Sequence, residues 1–303
     1  MAQLHDNEIH VDEEVVRSLL RSQCPDWADL PLASAGEGTD NTMYRLGHDL
    51  LVRLPRTPDT ARSVRKEQQW LPRLAPHLDC MIPEPVHAGS PTSAYPLTWS
   101  IYRWIDGAEP GSVTVTDWST FGADLARSVR QLHQIDLMGV SGTGDLAWYR
   151  GASLHECADW FSTSFEQCHR LVDADVDLST VERMWRDALA LPDPTTPHVW
   201  LHGDLKPTNL LVQGGRFHAM IDFGCLSIGY PDAEHSTVWD LPAAAREAYW
   251  CELDIDEPTW LRARAWAVLV AVSGISYYWE TLPAYVAECL ARLGEIVSDA
   301  RNR

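Results

Sequence analysis

Between Val199 and Gly224 the chain sets three polar side chains among apolar residues, and that stretch constrains the fold more than anything else in its 303 residues. It reads Val199-Trp200-Leu201-His202-Gly203-Asp204-Leu205-Lys206-Pro207-Thr208-Asn209-Leu210-Leu211-Val212. Met220-Ile221-Asp222-Phe223-Gly224 then follows. The short apolar runs have the texture of buried strands. Asn209 begins one run and Asp222 ends the other, so a hairpin brings both to one edge. Asp204 lies on the loop that enters this hairpin. Carboxylate and amide oxygens are hard ligands, suited to Mg2+ rather than Zn2+. Phosphoryl transfer asks for such a set: a cation over the phosphates and a carboxylate to orient the incoming hydroxyl and take its proton. Asp204 or Asn209 alone is explained as well by turn-making; the ordered set is not.

Around this segment the texture changes twice. Val11–Cys24 reads as a helix with Val15, Val16, Leu19 and Leu20 on one face. Leu32–Ala35, Thr42–Leu46 and Leu50–Leu54 read as strands, joined by Gly36-Glu37-Gly38-Thr39-Asp40-Asn41 and Gly47-His48-Asp49. A helix is expected over Thr60–Leu74, a short strand at Val86, and a longer strand from Leu97 to Ile105 that stops at Asp106-Gly107. Beyond that point helices dominate: one capped by Thr116 and running to Ile135, two between His155 and Leu191, and more from Thr237 to Ala300. The expected architecture is α+β and bilobal. Residues 1–105 form a small β-rich lobe with an N-terminal helix, and residues 106–303 a larger helical lobe, hinged where a ligand can lie between them.

Composition narrows the partners. Asp and Glu number 43 against 24 Lys and Arg, a net charge of −19. That balance argues against nucleic acid, which needs clustered cations to displace counterions. It suits a cationic small molecule, although the charge also serves plain solubility. Lys66 and Lys206 are the only lysines, so roles usually given to Lys pass to Arg. The amino terminus lacks the basic start and apolar stretch of a signal peptide, and Ala265–Gly274 is half the roughly 20 residues a membrane helix needs. Seven scattered cysteines fit buried free thiols in a reducing cytoplasm. No membrane partner is expected, and the protein is expected to be a monomer or dimer.

His202-Gly203-Asp204, Asn209 and Ile221-Asp222-Phe223-Gly224 together resemble the aminoglycoside phosphotransferase family, small-molecule kinases with the protein-kinase fold. The resemblance runs from Leu32 to the end of the chain. It implies ATP or GTP as donor, Mg2+, and a small-molecule hydroxyl acceptor. By it Asp204 matches the catalytic base, Asn209 and Asp222 the Mg2+ ligands, and His202 a residue bracing the loop. Lys206 matches a lysine that contacts the γ-phosphate. Gly36, Gly38 and Asn41 fall in the nucleotide-positioning turn, where glycines let backbone N–H groups approach phosphate. Arg103 and Ile105 match the strand whose backbone meets the adenine edge, with Trp99 and Trp104 either lining the purine pocket or packed in the core.

The chain departs from the family in two places. Arg53 stands where kinases place a phosphate-binding Lys, with Glu67 as its acidic partner; its planar fork still neutralises phosphate but with another shape. Gly229–His235 replaces a Gly-Asp-Pro-Ala-x-Asp-Leu pattern near the acceptor side, with Tyr230 at the first acidic position and Glu234 at the second. Candidate acceptor acids are Asp159, Glu166, Asp173, Asp175 and Glu280, each of which also suits a solvated surface. An aminoglycoside is the first acceptor to consider. A macrolide, an amino alcohol or a sugar keeps the chemistry, and the two departures leave room for a pseudokinase that binds nucleotide without turnover.

Overall fold

Short β-runs punctuated by glycine make hairpins, and the amino-terminal half is built from them. The computed structural model describes residues 9–37, 40–172 and 176–302. In it β1 (Leu32–Glu37), β2 (Asn41–Leu46) and β3 (Leu50–Pro55) pair antiparallel, and Gly47-His48-Asp49 closes the second hairpin with Leu46 opposite Leu50. With β4 (Pro85–Gly89) and β5 (Trp99–Arg103) they form one antiparallel sheet in the order β1-β2-β3-β5-β4. Val52, Leu54, Trp99 and Ile101 bury one face of it in a cluster shared with Val16, Leu19 and Leu20 of α1 (Glu13–Gln23). Asp12 caps α1, its carboxylate accepting the Val15 N–H at 2.9 Å.

α2 (Pro58–Leu74) covers the expected Thr60–Leu74 together with Pro58 and Asp59, the two residues that open it. Thr57 is its cap and Pro58 its first residue, where a missing N–H costs nothing. Its later half leaves the small core: Trp70, Leu71 and Leu74, with Ile82 and Tyr102, join the larger cluster that fills the carboxyl-terminal half. α3 (Trp118–Gln134) is capped by Asp117, not by Thr116 as expected; Asp117 accepts from the Ser119 N–H at 3.0 Å. A carboxylate beside unpaired helix N–H groups is the stronger acceptor. The Thr116 N–H instead donates to the Gly215 carbonyl.

The large cluster is ringed by α3, α4 (Ala158–Leu171), α5 (Leu178–Leu189), α6 (Ala243–Leu253), α7 (Glu257–Tyr278) and α8 (Pro283–Asn302). α7 is its axis, with Ala265, Trp266, Val268, Leu269 and Val272 all buried. Among the described residues no helix is long and apolar enough to cross a membrane. The cysteines are free, but only Cys24, Cys157, Cys168 and Cys289 are buried; Cys251 is exposed and Cys80 and Cys225 lie between. Expecting all seven inside overlooked that isolated thiols tolerate either setting.

Two small ladders interrupt the helices. β6 (Val199–Leu201) pairs with β9 (Ser227–Gly229), and β7 (Leu210–Gln213) with β8 (Arg216–Met220). The β7–β8 hairpin is fastened to the segments leaving α2 and β5: Met220 N–H donates to Met81 at 3.0 Å, and Ala108 and Val212 exchange bonds at 3.0 and 2.8 Å. Asp204, Asn209 and Asp222 thereby come to lie below the five-stranded sheet.

Candidate active site

The hairpin does what the spacing implied. The Ile221 N–H donates to the Asn209 carbonyl at 2.9 Å, so Asp222 follows directly beside Asn209. Asp222 takes a left-handed backbone, φ 62°, which short polar residues tolerate best. The Asn209 amide nitrogen donates to the Asp204 carbonyl at 2.8 Å, which leaves its amide oxygen as a free hard ligand. Asn209 and Asp222 thus offer two oxygens. That suits Mg2+, which binds by one or two protein ligands plus phosphate and water.

Arg53 on β3 is the junction of the two halves. Its Nη1 meets both oxygens of Glu67 on α2, at 2.9 and 3.0 Å, and its Nη2 meets Asp222 Oδ1 at 2.8 Å. With its amide oxygen turned inward, Asn41 accepts from Nη2 and Nε at 3.1 and 3.2 Å. Glu67, fully buried, also accepts from the Tyr102 hydroxyl at 2.5 Å. Arg53 and Glu67 therefore do pair, and the same guanidinium holds a candidate metal ligand. Burial pushes the Asp222 carboxyl up, but the surrounding charges and hydrogen bonds, Arg53 first among them, together hold the group below the usual carboxylate range.

Asp204 has a cation of its own. Arg150 Nη1 donates to Asp204 Oδ1 at 2.6 Å and to the Gly203 carbonyl at 3.2 Å, while Lys206 Nζ lies 3.6 Å from Oδ2. Against the effect of burial, these cations keep Asp204 ionised below the usual range. His202 braces the loop: Nδ1 accepts from the Asp204 N–H at 3.3 Å, so Nε2 carries the proton and donates to the Ile221 carbonyl at 2.9 Å. Gly203 needs its missing side chain, since φ is +80° and a Cβ would stand 2.2 Å from the Cys225 carbonyl.

Below the loop lies Glu234, buried, accepting the His202 N–H at 2.7 Å and the Gly203 N–H at 3.0 Å. Burial pushes its carboxyl up. Asp232 is buried against Arg262 at 3.1 Å. The two acids of Gly229–His235 are both buried, Glu234 on loop N–H groups and Asp232 on a buried guanidinium. Tyr230 stacks edge-on with His198. Of the candidate acceptor acids, Asp159 and Glu280 are exposed, Glu166 pairs with Arg170, and Asp173 and Asp175 lie outside the described residues.

In the first glycine turn Gly36 has φ +101°, and no atom of the described residues lies within 4 Å of where its Cβ would stand, while Gly38 lies outside the described residues. Leu50 faces Arg103 across β3–β5, and the Trp104 N–H donates to the Asp49 carbonyl. This makes Leu50 and Arg103 a non-hydrogen-bonded pair, so the N–H and carbonyl of Arg103 point away from β3. The N–H is spent on Glu84 at 2.9 Å. Trp99 is wholly buried in the small core, and Trp104 lies under the Arg45 guanidinium. Sequence reasoning missed Arg150, which sits in no motif, and misplaced Glu234, whose signal was only an acid in an altered pattern.

Residues 32–266 match the family described as phosphotransferase enzyme family, APH. The chain belongs to that family. This APH phosphotransferase is kinase-like in fold. It is similar to the GDP complex of aminoglycoside 2'-phosphotransferase-IIIa, at 20% identity and a TM-score of 0.77, covering 96% of this chain and 100% of that one. It is also similar to the streptomycin–ATP–APH(2")-IIa ternary complex, at 17% identity and 0.61, covering 90% and 92%. A macrolide 2'-phosphotransferase, MphH from Brachybacterium faecium, aligns at 19% identity and 0.59, covering 93% and 97%. No curated protein matches the sequence.

Proposed function

We propose that this phosphotransferase moves the γ-phosphoryl group of ATP or GTP to a hydroxyl of a small molecule, with Mg2+, and that an aminoglycoside-type antibiotic is its acceptor. The observation that carries the reading is the meeting of Asp204, Asn209 and Asp222 on one loop-and-hairpin edge under the Arg53 junction. Mg2+, when bound, would neutralise the phosphates. Asn209 and Asp222 would hold it, the Asn209 oxygen and the half-exposed Asp222 carboxylate being the donors left to it. Asp204 accepts the hydroxyl proton as the acceptor oxygen bonds to the γ-phosphorus. The bond to the bridging oxygen breaks and the nucleoside diphosphate leaves. Lys206, with its Nζ on the Oδ2 side of Asp204, meets the γ-phosphate. Gly36, Gly38 and Asn41 bound the phosphate turn, and Arg53 with Glu67 orders its floor. The Arg103 carbonyl and the Ile105 N–H read the adenine edge at a hinge between residues 105 and 106. An aminoglycoside fits the net charge of −19 and the bound ligand of one relative.

A screen of aminoglycosides, macrolides, amino alcohols and sugars with γ-labelled ATP and GTP tests both levels. Labelled aminoglycoside is the expected product. Label on a macrolide alone replaces the acceptor and leaves the chemistry. Asp204→Ala is expected to keep the Mg2+-dependent nucleotide thermal shift while transfer drops ~10²–10⁴-fold, the usual worth of a positioned base. Equal turnover in that variant removes Asp204 from the reaction.

A further inference from the structure

We propose that Arg150 is a positioning residue that fixes the catalytic carboxylate and selects which of its oxygens receives the proton. The inference rests on the base role of Asp204 argued above. Arg150 lies on the short 3-10 turn Tyr149–Gly151, between α3 and α4 and 54 residues before Asp204. Its guanidinium side chain is 16% exposed and held at three points: Asp204 Oδ1 at 2.6 Å, the Gly203 carbonyl at 3.2 Å and the Tyr149 hydroxyl at 3.0 Å.

The turn beneath it is rigid. Tyr149 packs against Trp148, Trp160 and Trp266, with ring centroids 4.8, 5.0 and 6.2 Å apart. The Gly151 carbonyl accepts the Tyr230 N–H at 2.9 Å, which anchors the turn to the end of β9. Arg150 is therefore a fixture presented to the loop, not a loose surface cation that happens to reach it.

The consequence lies in the carboxylate. Oδ1 carries a short charge-assisted bond, whereas among the described residues Oδ2 has only Asn209 Nδ2 at 3.5 Å and Lys206 Nζ at 3.6 Å. Oδ2 is the oxygen with room for the acceptor hydroxyl, and it faces the side of Lys206 and Asn209, where the γ-phosphoryl group arrives. Without Arg150 the carboxylate rotates about its Cβ–Cγ bond and this alignment is lost. Proton transfer depends on such alignment, while nucleotide binding does not.

Arg150→Met, Arg150→Lys and Asp204→Asn in the full chain test this, with water as acceptor and MgATP as donor. Arg150→Met is expected to lower kcat for MgATP hydrolysis ~100-fold with KM and the MgATP thermal shift unchanged. Arg150→Lys should fall between, and added guanidinium ion should restore part of the rate in Arg150→Met. A kcat within about threefold of the parent overturns the proposal. So does a rise in KM with loss of the thermal shift, which marks a merely structural role. A crystal structure of Arg150→Met decides without turnover: a rotated Asp204 carboxylate supports the proposal and an unmoved one overturns it. If Arg150→Met does not fold, Arg150→Lys and Tyr149→Phe are read by the same criteria. Hydrolysis that survives Asp204→Asn defeats the base assignment itself. Loss there with full activity in Arg150→Met defeats only Arg150.

Discussion

At Arg53, which stands where the resemblance leads one to expect a lysine, one guanidinium serves three partners, Glu67, Asp222 and Asn41. A lysine ammonium has three donors on a flexible stem; the planar fork of arginine spans Glu67 and Asp222 at once. The pair with Glu67 is buried, so its value lies less in net attraction than in the harm of breaking it. Removing one member of a buried pair strands a charge away from water and typically costs about 3–5 kcal/mol. Arg53→Ala is expected to lose about that much in urea denaturation, with Glu67 and Tyr102 left without their cation. Arg53→Lys, which keeps the charge but cannot reach both carboxylates in the same geometry, is expected to lose less than half as much. An Arg53→Ala protein as stable as the parent would show that Glu67 is neutral in the fold.

Among elements, the loop that carries His202, Gly203 and Asp204 is the one whose shape is most tightly dictated. It runs from β6 to the turn before β7, and its course is set by bonds to side chains remote in sequence. Glu234 takes the His202 and Gly203 N–H groups, His202 ties the loop to Ile221, and Gly203 passes a backbone carbonyl where no Cβ fits. Gly203→Ala is expected to lower stability by about 1–3 kcal/mol, the range for a forced left-handed residue, and to lower transfer more than nucleotide affinity. Denaturation and a nucleotide thermal shift on one preparation separate the two. Parent-like stability would mean the loop can relax away from Cys225.

For the whole molecule, the packing of α3 and α6 around the 3-10 segment Pro231–Asp240 sets an acid limit. His133 and His235 face each other edge-on, 5.6 Å apart, with His235 Nδ1 on the Tyr249 hydroxyl at 2.8 Å. Burial holds His133 down to about 4 and holds His235 well below its ordinary value, and His133 further disfavours charge on His235. The unfolded chain binds a proton at His133 from about pH 6.5, the folded chain only near pH 4, and His235 shifts in the same direction. The unfolded state thus takes up more protons as pH falls through this window, and stability is lost there, with no contribution above it. The melting temperature is expected to drop between pH 6.5 and 4, and the slope to flatten in His133→Leu. An identical slope in that variant would assign the acid sensitivity to other groups.

Much of this protein could be read from order along the chain. Glycine-punctuated strands, amphipathic helices and the spacing of Asp204, Asn209 and Asp222 are local patterns. A hairpin joins Asn209 to Asp222 through contacts a dozen residues apart, so periodicity and turn residues sufficed to find it. The cap of α3 was misread by one residue because two adjacent side chains compete for the same N–H groups, and only geometry ranks them. Arg150, 54 residues from its carboxylate, and Glu234, 31 residues from the nearer N–H it holds, leave no such trace. Their roles exist because long-range packing buries charges that then require partners, and which partner meets which charge is decided only when the chain has folded.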